Sequence, residues 1–305
     1  MLLKITFLGT SGTTPSVERN LSAILIQLGK HRVLFDCGEG TQRQMMHAKT
    51  GFKLDAVFIT HLHTDHFLGV FGLLETLSLN EREEKLTVYS PDAKFLRFMF
   101  KAFGYEYLSF PVEVIDLGDG EEVDFDDFKV VSFQTDHIVN SLGYALIEED
   151  RPGKFDRKKA ENLGIPPGPL YSQLVNGESV KIGEKLITPD MVVGDSRPGR
   201  KVVYTGDTRP CEEVETVETI TDPDVLIHDG AFTSELQEWA EETKHSTARE
   251  AAEIAHKIGA ELLVLTHISA RYSKDATPLL EEAKEVFKNT LIAHDYYSLQ
   301  VQYRD

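Results

Sequence analysis

The sequence predicts an α/β protein built from two mixed sheets packed face to face, with helices outside and an inserted arm. Three observations predict it. Short apolar strands alternate with helical segments in two separate portions of the chain. With 41% apolar and 27% charged residues, there is material for a core and too little polar bias for general disorder. Between the two portions, residues 150–188 lose the pattern and carry four prolines and five glycines.

The elements follow in order. Residues 4–8, 22–28 and 33–35 read as strands, with a Gly, Ser, Thr and Pro loop at 9–20. Residues 40–49 read as a helix, 55–60 as a buried strand and 67–80 as a core helix whose apolar run is interrupted by Glu75. A strand at 86–89, a helix at 92–103 and strands at 112–115, 128–133 and 142–147 complete the first portion. After residue 190, strands are expected at 202–205, 225–228, 262–266 and 291–293, with helices at 247–258 and 278–287. Residues 1–305 are thus expected to form one domain carrying a flexible inserted arm at 150–188, because long loops inside compact domains are usually functional.

Thirty-two basic and 50 acidic side chains give a net charge of −18, which would repel nucleic acid if spread evenly. It is not: residues 151–201 carry ten basic and six acidic side chains, so that segment is +4 and the remainder −22. No segment reaches the roughly 20 apolar residues of a membrane span. The N-terminus lacks the pattern of a signal peptide. Two cysteines, Cys37 and Cys211, form no disulfide framework or Cys-x-x-Cys pair, which fits a reducing cytoplasm.

The chemistry begins at Thr60-His61-Leu62-His63-Thr64-Asp65-His66, directly after a buried strand. Residues two apart on an extended segment point the same way, so His61 and His63 can converge on one ion while Asp65 and His66 face another. Such a block arises by chance on the order of once per thousand chains of this composition. Closing two sites needs more ligands. Candidates stand at strand ends: Asp136-His137, Asp207 in Thr205-Gly-Asp-Thr208, and His267 after residues 262–265. Asp207 is the candidate to bridge two ions.

These residues resemble the metallo-β-lactamase fold, and specifically the tRNase Z (ribonuclease Z) family, which removes 3′ trailers from precursor tRNA. The likeness runs through Phe7-Leu-Gly-Thr10, Leu34-Phe-Asp-Cys-Gly-Glu39, the histidine cluster, Gly206-Asp207-Thr208 and Leu265-Thr-His-Ile-Ser-Ala-Arg-Tyr272. More diagnostic is Leu163-Gly-Ile-Pro-Pro-Gly-Pro169, followed by Gly177-Glu-Ser-Val180, which resembles that family's tRNA-gripping arm.

The resemblance implies an αββα sandwich and two Zn2+ per subunit. One would be held by His61, His63 and His137, the other by Asp65, His66 and His267, with Asp207 shared. Asp65 would deprotonate the attacking water. His245, in a segment similar to the family's His-Ser-Thr block, would protonate the leaving ribose oxygen, oriented by Asp229. The family usually has a glutamate at that last position, in His-Glu-Ala-Thr, where this chain reads His228-Asp-Gly-Ala231. It also commonly has Lys where Val17 stands, in a loop where Arg19 and Asn20 would meet the acceptor end. Arg271 is a further phosphate candidate. Lys154, Arg157, Lys158, Lys159, Gly168 and Pro169 would grip the tRNA from the arm. The resemblance also implies a homodimer, in which one subunit's arm holds the tRNA that the other cleaves.

Two other classes remain. A small-molecule hydrolase of the same fold, such as a thioesterase or lactonase, has no need of a basic arm. A noncatalytic RNA-binding or metal-storage protein would not need Asp65 and His245.

Overall fold

The computed structural model describes residues 1–211, 214 and 217–304. In chain order the first portion comprises β1 (Leu3–Gly9), β2 (Ala23–Leu28), β3 (His31–Phe35), α1 (Thr41–His47), β4 (Ala56–Phe58), α2 (Thr64–Phe67), α3 (Gly69–Leu79), β5 (Leu86–Ser90), α4 (Ala93–Ala102) and β6 (Val112–Asp116). Then come β7 (Glu122–Asp124), β8 (Phe128–Gln134) and β9 (Leu142–Glu148). The middle holds α5 (Arg157–Asn162), α6 (Pro169–Val175), β10 (Val180–Ile182) and β11 (Lys185–Ile187). The last portion holds β12 (Lys201–Tyr204), β13 (Val225–Asp229), α7 (Gln237–Thr243), α8 (Ala248–Lys257), β14 (Leu263–Thr266), α9 (Thr277–Val286), β15 (Thr290–Ile292) and β16 (Ser298–Val301).

The chain forms two compact units, one of residues 1–147 and 201–305, the other Glu148–Arg200. The larger contains two seven-stranded sheets, ordered β16-β1-β2-β3-β4-β5-β6 and β15-β14-β13-β12-β9-β8-β7. Both are mixed: β1–β2–β3 pair antiparallel and β3–β4–β5–β6 parallel, while β12–β13–β14–β15 are parallel and β9 meets β12 antiparallel.

Strand periodicity explains the layers. In β2, Ile24, Ile26 and Leu28 join a core shared with Tyr144, Leu146, Tyr204 and Ile227 of the other sheet, whereas Ala23 and Leu25 face a second core with Leu73, Leu74 and Leu96 of α3 and α4. In β13, Val225 and Ile227 point into the shared core and Leu226 into a third, with Ala251 and Ala255 of α8 and Leu279 of α9. Both faces of each sheet are covered, which is why the strands read as nearly unbroken apolar runs.

The smaller unit differs from the aperiodic arm expected at 150–188. It spans Glu148 to Arg200, with two helices, a β10–β11 hairpin and its own core of Ala160, Ile165, Leu174, Val180, Ile187 and Val192. Helices of six and seven residues are too short to display a 3.6-residue pattern. Among the described residues no helix is long and apolar enough to cross a membrane.

Candidate active site

Parallel strands deliver loops to one edge of a sheet, and the chemistry-bearing residues lie at carboxyl ends of strands. After β4 the chain bends at Thr60 and leads into His61. His63, with φ −75° and ψ 144°, then starts α2, whose first turn presents Asp65 and His66. His137 follows β8, Asp207 follows β12, Asp229 ends β13 and His267 follows β14. Gly206 allows the turn before Asp207: its φ is +62°, and a Cβ there would lie 2.9 Å from Cβ and Cγ2 of Thr60. His267 adopts a left-handed φ of 57°, a costly conformation for a non-glycine residue.

The seven predicted metal-ligand residues meet. Ligand atoms of His61, His63, His137 and Asp207 form one group, and those of Asp65, His66, Asp207 and His267 a second; within each group all lie within 4.8 Å of one another. His63 Nδ1 is 3.0 Å from His61 Nε2 and 3.2 Å from His137 Nε2. Asp207 Oδ2 lies 3.2 Å from Nε2 of both His66 and His267 and 3.7 Å from Nε2 of His61. Asp65 Oδ2 is 3.5 Å from His66 Nε2 and 3.6 Å from His267 Nε2.

Hydrogen bonds behind the ring fix which nitrogens face inward. His137 Nδ1 donates to the Lys244 carbonyl at 3.0 Å, and His66 Nδ1 to Asp36 Oδ2 at 2.7 Å, so in each ring Nε2 is the nitrogen turned toward the centre. The Thr60 hydroxyl donates to Asp36, so it can accept from His61 Nδ1 at 3.0 Å. Asp36 also accepts the Thr60 N–H and the Tyr204 hydroxyl, each at 2.8 Å. Asp65 Oδ2, Asp207 Oδ1, His66 Nε2 and His267 Nε2 are buried without hydrogen-bond partners. Convergent, desolvated lone pairs of this kind are costly unless a cation fills the space between them, so the residues fit a metal centre.

Electrostatics agree. Burial, with the neighbouring His66, pushes the His61 imidazole well below its usual pKa, toward the neutral ligand form. Burial opposes charge on His66 too, but Asp207 and Asp36 raise it well above the ordinary value. Asp207, although buried, is held well below the carboxylate range by His267 and His66. The pocket therefore favours positive charge between its carboxylates.

Beside this ring stands His245. Its Nδ1 is 2.8 Å from Asp229 Oδ2, and its ring stacks on His267 with centroids 4.9 Å apart. Burial works against its charge, but Asp229 outweighs it and pushes the pKa up to about 9. The shorter Asp at this position therefore still reaches His245.

Other predicted residues lie elsewhere. Arg19 corrects the expectation of a phosphate contact: it is only 3% exposed, and Nη1 donates to Thr10 Oγ1 at 2.7 Å and to the Ala293 carbonyl at 2.6 Å. It anchors the loop from within. Asn20 is likewise occupied, its Nδ2 donating to the Glu39 carbonyl at 2.9 Å. Asp136 pairs with Lys244 Nζ at 2.9 Å outside the ring. Arg271 is exposed, with Cζ 5.9 Å from the ring centres of both Phe232 and Trp239. In the smaller unit, Lys154, Arg157, Lys158 and Lys159 are exposed, as are Gly168 and Pro169. Asp36 was not anticipated as a site residue; its only sequence signal was its place inside the Leu34–Glu39 block.

Sandwich and metal-fitting pocket together define a metallo-β-lactamase-superfamily protein, and residues 18–143 match the family described as Metallo-beta-lactamase superfamily, residues 190–268 the Beta-lactamase superfamily domain. Ribonuclease Z of Archaeoglobus fulgidus is 64% identical over 305 residues, covering 99% of each chain. Ribonuclease Z of Myxococcus xanthus is 45% identical, covering 100% of this chain and 99% of that one. The chain belongs to the ribonuclease Z family. Human tRNase Z, short form, superposes with a TM-score of 0.70 at 25% identity, covering 98% of this chain and 99% of that one.

Proposed function

We propose that this chain is a tRNA 3′-processing endoribonuclease that hydrolyses the phosphodiester joining tRNA to its 3′ trailer. The observation that carries the reading is the Asp229–His245 pair beside the two His/Asp groups: His245 is held by Asp229 at 2.8 Å and stacks on His267, and the pair shares a third group of converging ligand atoms with Asp207 and His267, which supports a proton donor next to a cation-binding pocket.

His61, His63 and His137 would hold one divalent ion and Asp65, His66 and His267 a second, with Asp207 shared. Zinc suits this imidazole and carboxylate set. When bound, the ions supply Lewis acidity at the phosphoryl oxygens and lower the pKa of water.

The side chains do the rest. The Asp65 carboxylate, buried and with no hydrogen-bond partner on Oδ2, orients the attacking water and accepts its proton. The water oxygen bonds to phosphorus as the P–O3′ bond breaks, and that electron pair stays on O3′. His245, with Nδ1 engaged by Asp229, gives O3′ a proton from its other ring nitrogen. The tRNA leaves with a 3′-hydroxyl and the trailer with a 5′-phosphate.

The exposed cations Lys154, Arg157, Lys158 and Lys159, with the Gly168-Pro169 turn, would hold precursor tRNA by its phosphates. A homodimer in which each subunit's basic unit serves its partner's tRNA is part of the same proposal, as is a cytoplasmic setting for the two free cysteines.

The test is metal-replete protein on a 3′-extended tRNA transcript with end-group analysis of both products. A single cut giving the stated ends supports the reading. An intact transcript, or a product bearing a 3′-phosphate, overturns it.

A further inference from the structure

The loop carrying His245 joins two short helices, α7 and α8, yet it is held at every residue. Lys244, left-handed at φ 58°, has its carbonyl bonded to His137. The Ser246 hydroxyl donates to the Thr208 carbonyl at 2.6 Å. Thr247 caps α8 reciprocally with Glu250. The His245 carbonyl accepts from Arg209 Nη1 at 2.7 Å, and the same nitrogen donates to Glu250 Oε2 at 2.7 Å while Nη2 bonds Glu250 Oε1. Both partners of this ion pair are largely buried, with 13% and 14% of their side-chain surface exposed. Glu250 also accepts from the Thr247 N–H at 2.9 Å and from Gln237 Nε2 at 2.8 Å.

We propose that Arg209 is a positioning residue for proton donation: clamped by Glu250, it fixes the backbone of His245 so that the ring keeps its place between Asp229 and His267. Asp229 restrains the ring at one nitrogen, and the His245 N–H donates to the Ala240 carbonyl at 2.9 Å. Arg209 restrains the other end. Its planar fork meets a carboxylate and a carbonyl at once, which a lysine ammonium on a flexible stem cannot reproduce. Arg209 lies two residues after Asp207, so one short segment sets both the shared carboxylate and the acid. The guanidinium is engaged by Glu250 and the His245 carbonyl, so it acts through His245 and not on phosphate.

The proposal rests on the tRNA reading and deepens it. Proton donation matters where the leaving group is a ribose hydroxyl, and hardly at all where it is nitrophenolate. Arg209→Gln and Arg209→Lys, as full-length metal-replete proteins, are compared with the unsubstituted chain on a 3′-extended tRNA transcript and on bis(p-nitrophenyl) phosphate. Expected is a loss of about 10–100-fold in kcat on the transcript and less than about twofold on the nitrophenyl ester. In a His245→Ala background, either change should cost less than about twofold further on the transcript, because its route is already gone. Metal content and Tm are measured for each variant, and Arg209→Lys, which keeps the charge beside Glu250, carries the test if Arg209→Gln does not fold. Equal losses on both substrates, or a further loss on the transcript in the His245→Ala background as large as the one seen with His245 present, overturn the proposal. An unsubstituted chain that leaves the transcript intact overturns the tRNA reading and this proposal with it; failure confined to the variants touches the proposal alone.

Discussion

Asp229 Oδ2 lies 2.8 Å from His245 Nδ1 and also faces the backbone N–H groups of Thr208 at 3.3 Å and Ser246 at 3.4 Å, while Oδ1 accepts from Ala231 at 3.1 Å. The carboxylate is therefore fixed by three backbone N–H groups, with the His245 imidazole nearer to it than that of His267, whose Nδ1 is 3.9 Å from Oδ1. With the pKa of His245 raised to about 9, the imidazolium persists through neutral pH and is lost as pH rises past that value. Transcript cleavage should fall on the alkaline side accordingly. Asp229→Asn should bring that limb down toward the ordinary imidazole pKa of about 6.5 and lower kcat at pH 8 by about 10–100-fold. A kcat–pH profile that is unchanged in the variant would contradict the role.

Asp36 is fully buried and binds His66 Nδ1, the Thr60 hydroxyl and the Tyr204 hydroxyl together. Groups that orient metal-ligating histidines typically contribute 10–100-fold in affinity, so Asp36→Ala should weaken zinc binding by about that factor. Competition against a chelator of known affinity measures it, and excess zinc should restore part of the activity.

Arg157, Lys158 and Lys159 are exposed on α5, and Asp156 caps that helix through the Lys159 N–H at 3.0 Å. Replacing the three cations with alanine should leave the smaller unit's core intact and weaken precursor tRNA binding. The slope of log K against log salt should shrink by about two, since each phosphate contact contributes about 0.7–0.9. Hydrolysis of bis(p-nitrophenyl) phosphate should stay unchanged. An unaltered salt slope would show that these side chains are not at the RNA.

Arg19 and Arg271 should separate cleanly. Arg19→Ala removes a buried cation from Thr10 and the Ala293 carbonyl and should cost about 2–3 kcal/mol of stability, read as a lowered denaturation midpoint. Arg271→Ala should leave that midpoint alone and raise KM for the transcript several-fold.

Much of the centre was legible because one short segment, residues 61–66, carries four of its seven ligands in a pattern that extended backbone and a helix start translate directly into geometry. His137, Asp207 and His267 were legible only as polar residues at strand ends; their convergence depends on tertiary pairing between distant strands. Asp36 was hidden because a single aspartate after a strand has no periodicity to mark its role. Arg19 misled in the opposite direction, since a loop arginine in an RNA-directed context suggests phosphate when burial has committed it to the backbone. Among the elements, β16 was missed because Ser298, Leu299 and Gln300 do not stay buried, and its pairing with β1 makes it a strand. In the smaller unit the Pro169 that starts α6 reads as a breaker unless it is recognised as a first-turn residue.

The smaller unit is entered and left at adjacent points. Ile147 and Lys201 face each other in register between β9 and β12, and the next pair closes as the Glu148 N–H donates to the Arg200 carbonyl at 2.9 Å, with the two side chains joined at 2.7 Å in a buried ion pair. An insert tied off at such a stem behaves as a cassette. Its length and sequence can change without altering the register of β9 on β12, so the strand pair that leads to Asp207 is insulated from changes within the insert.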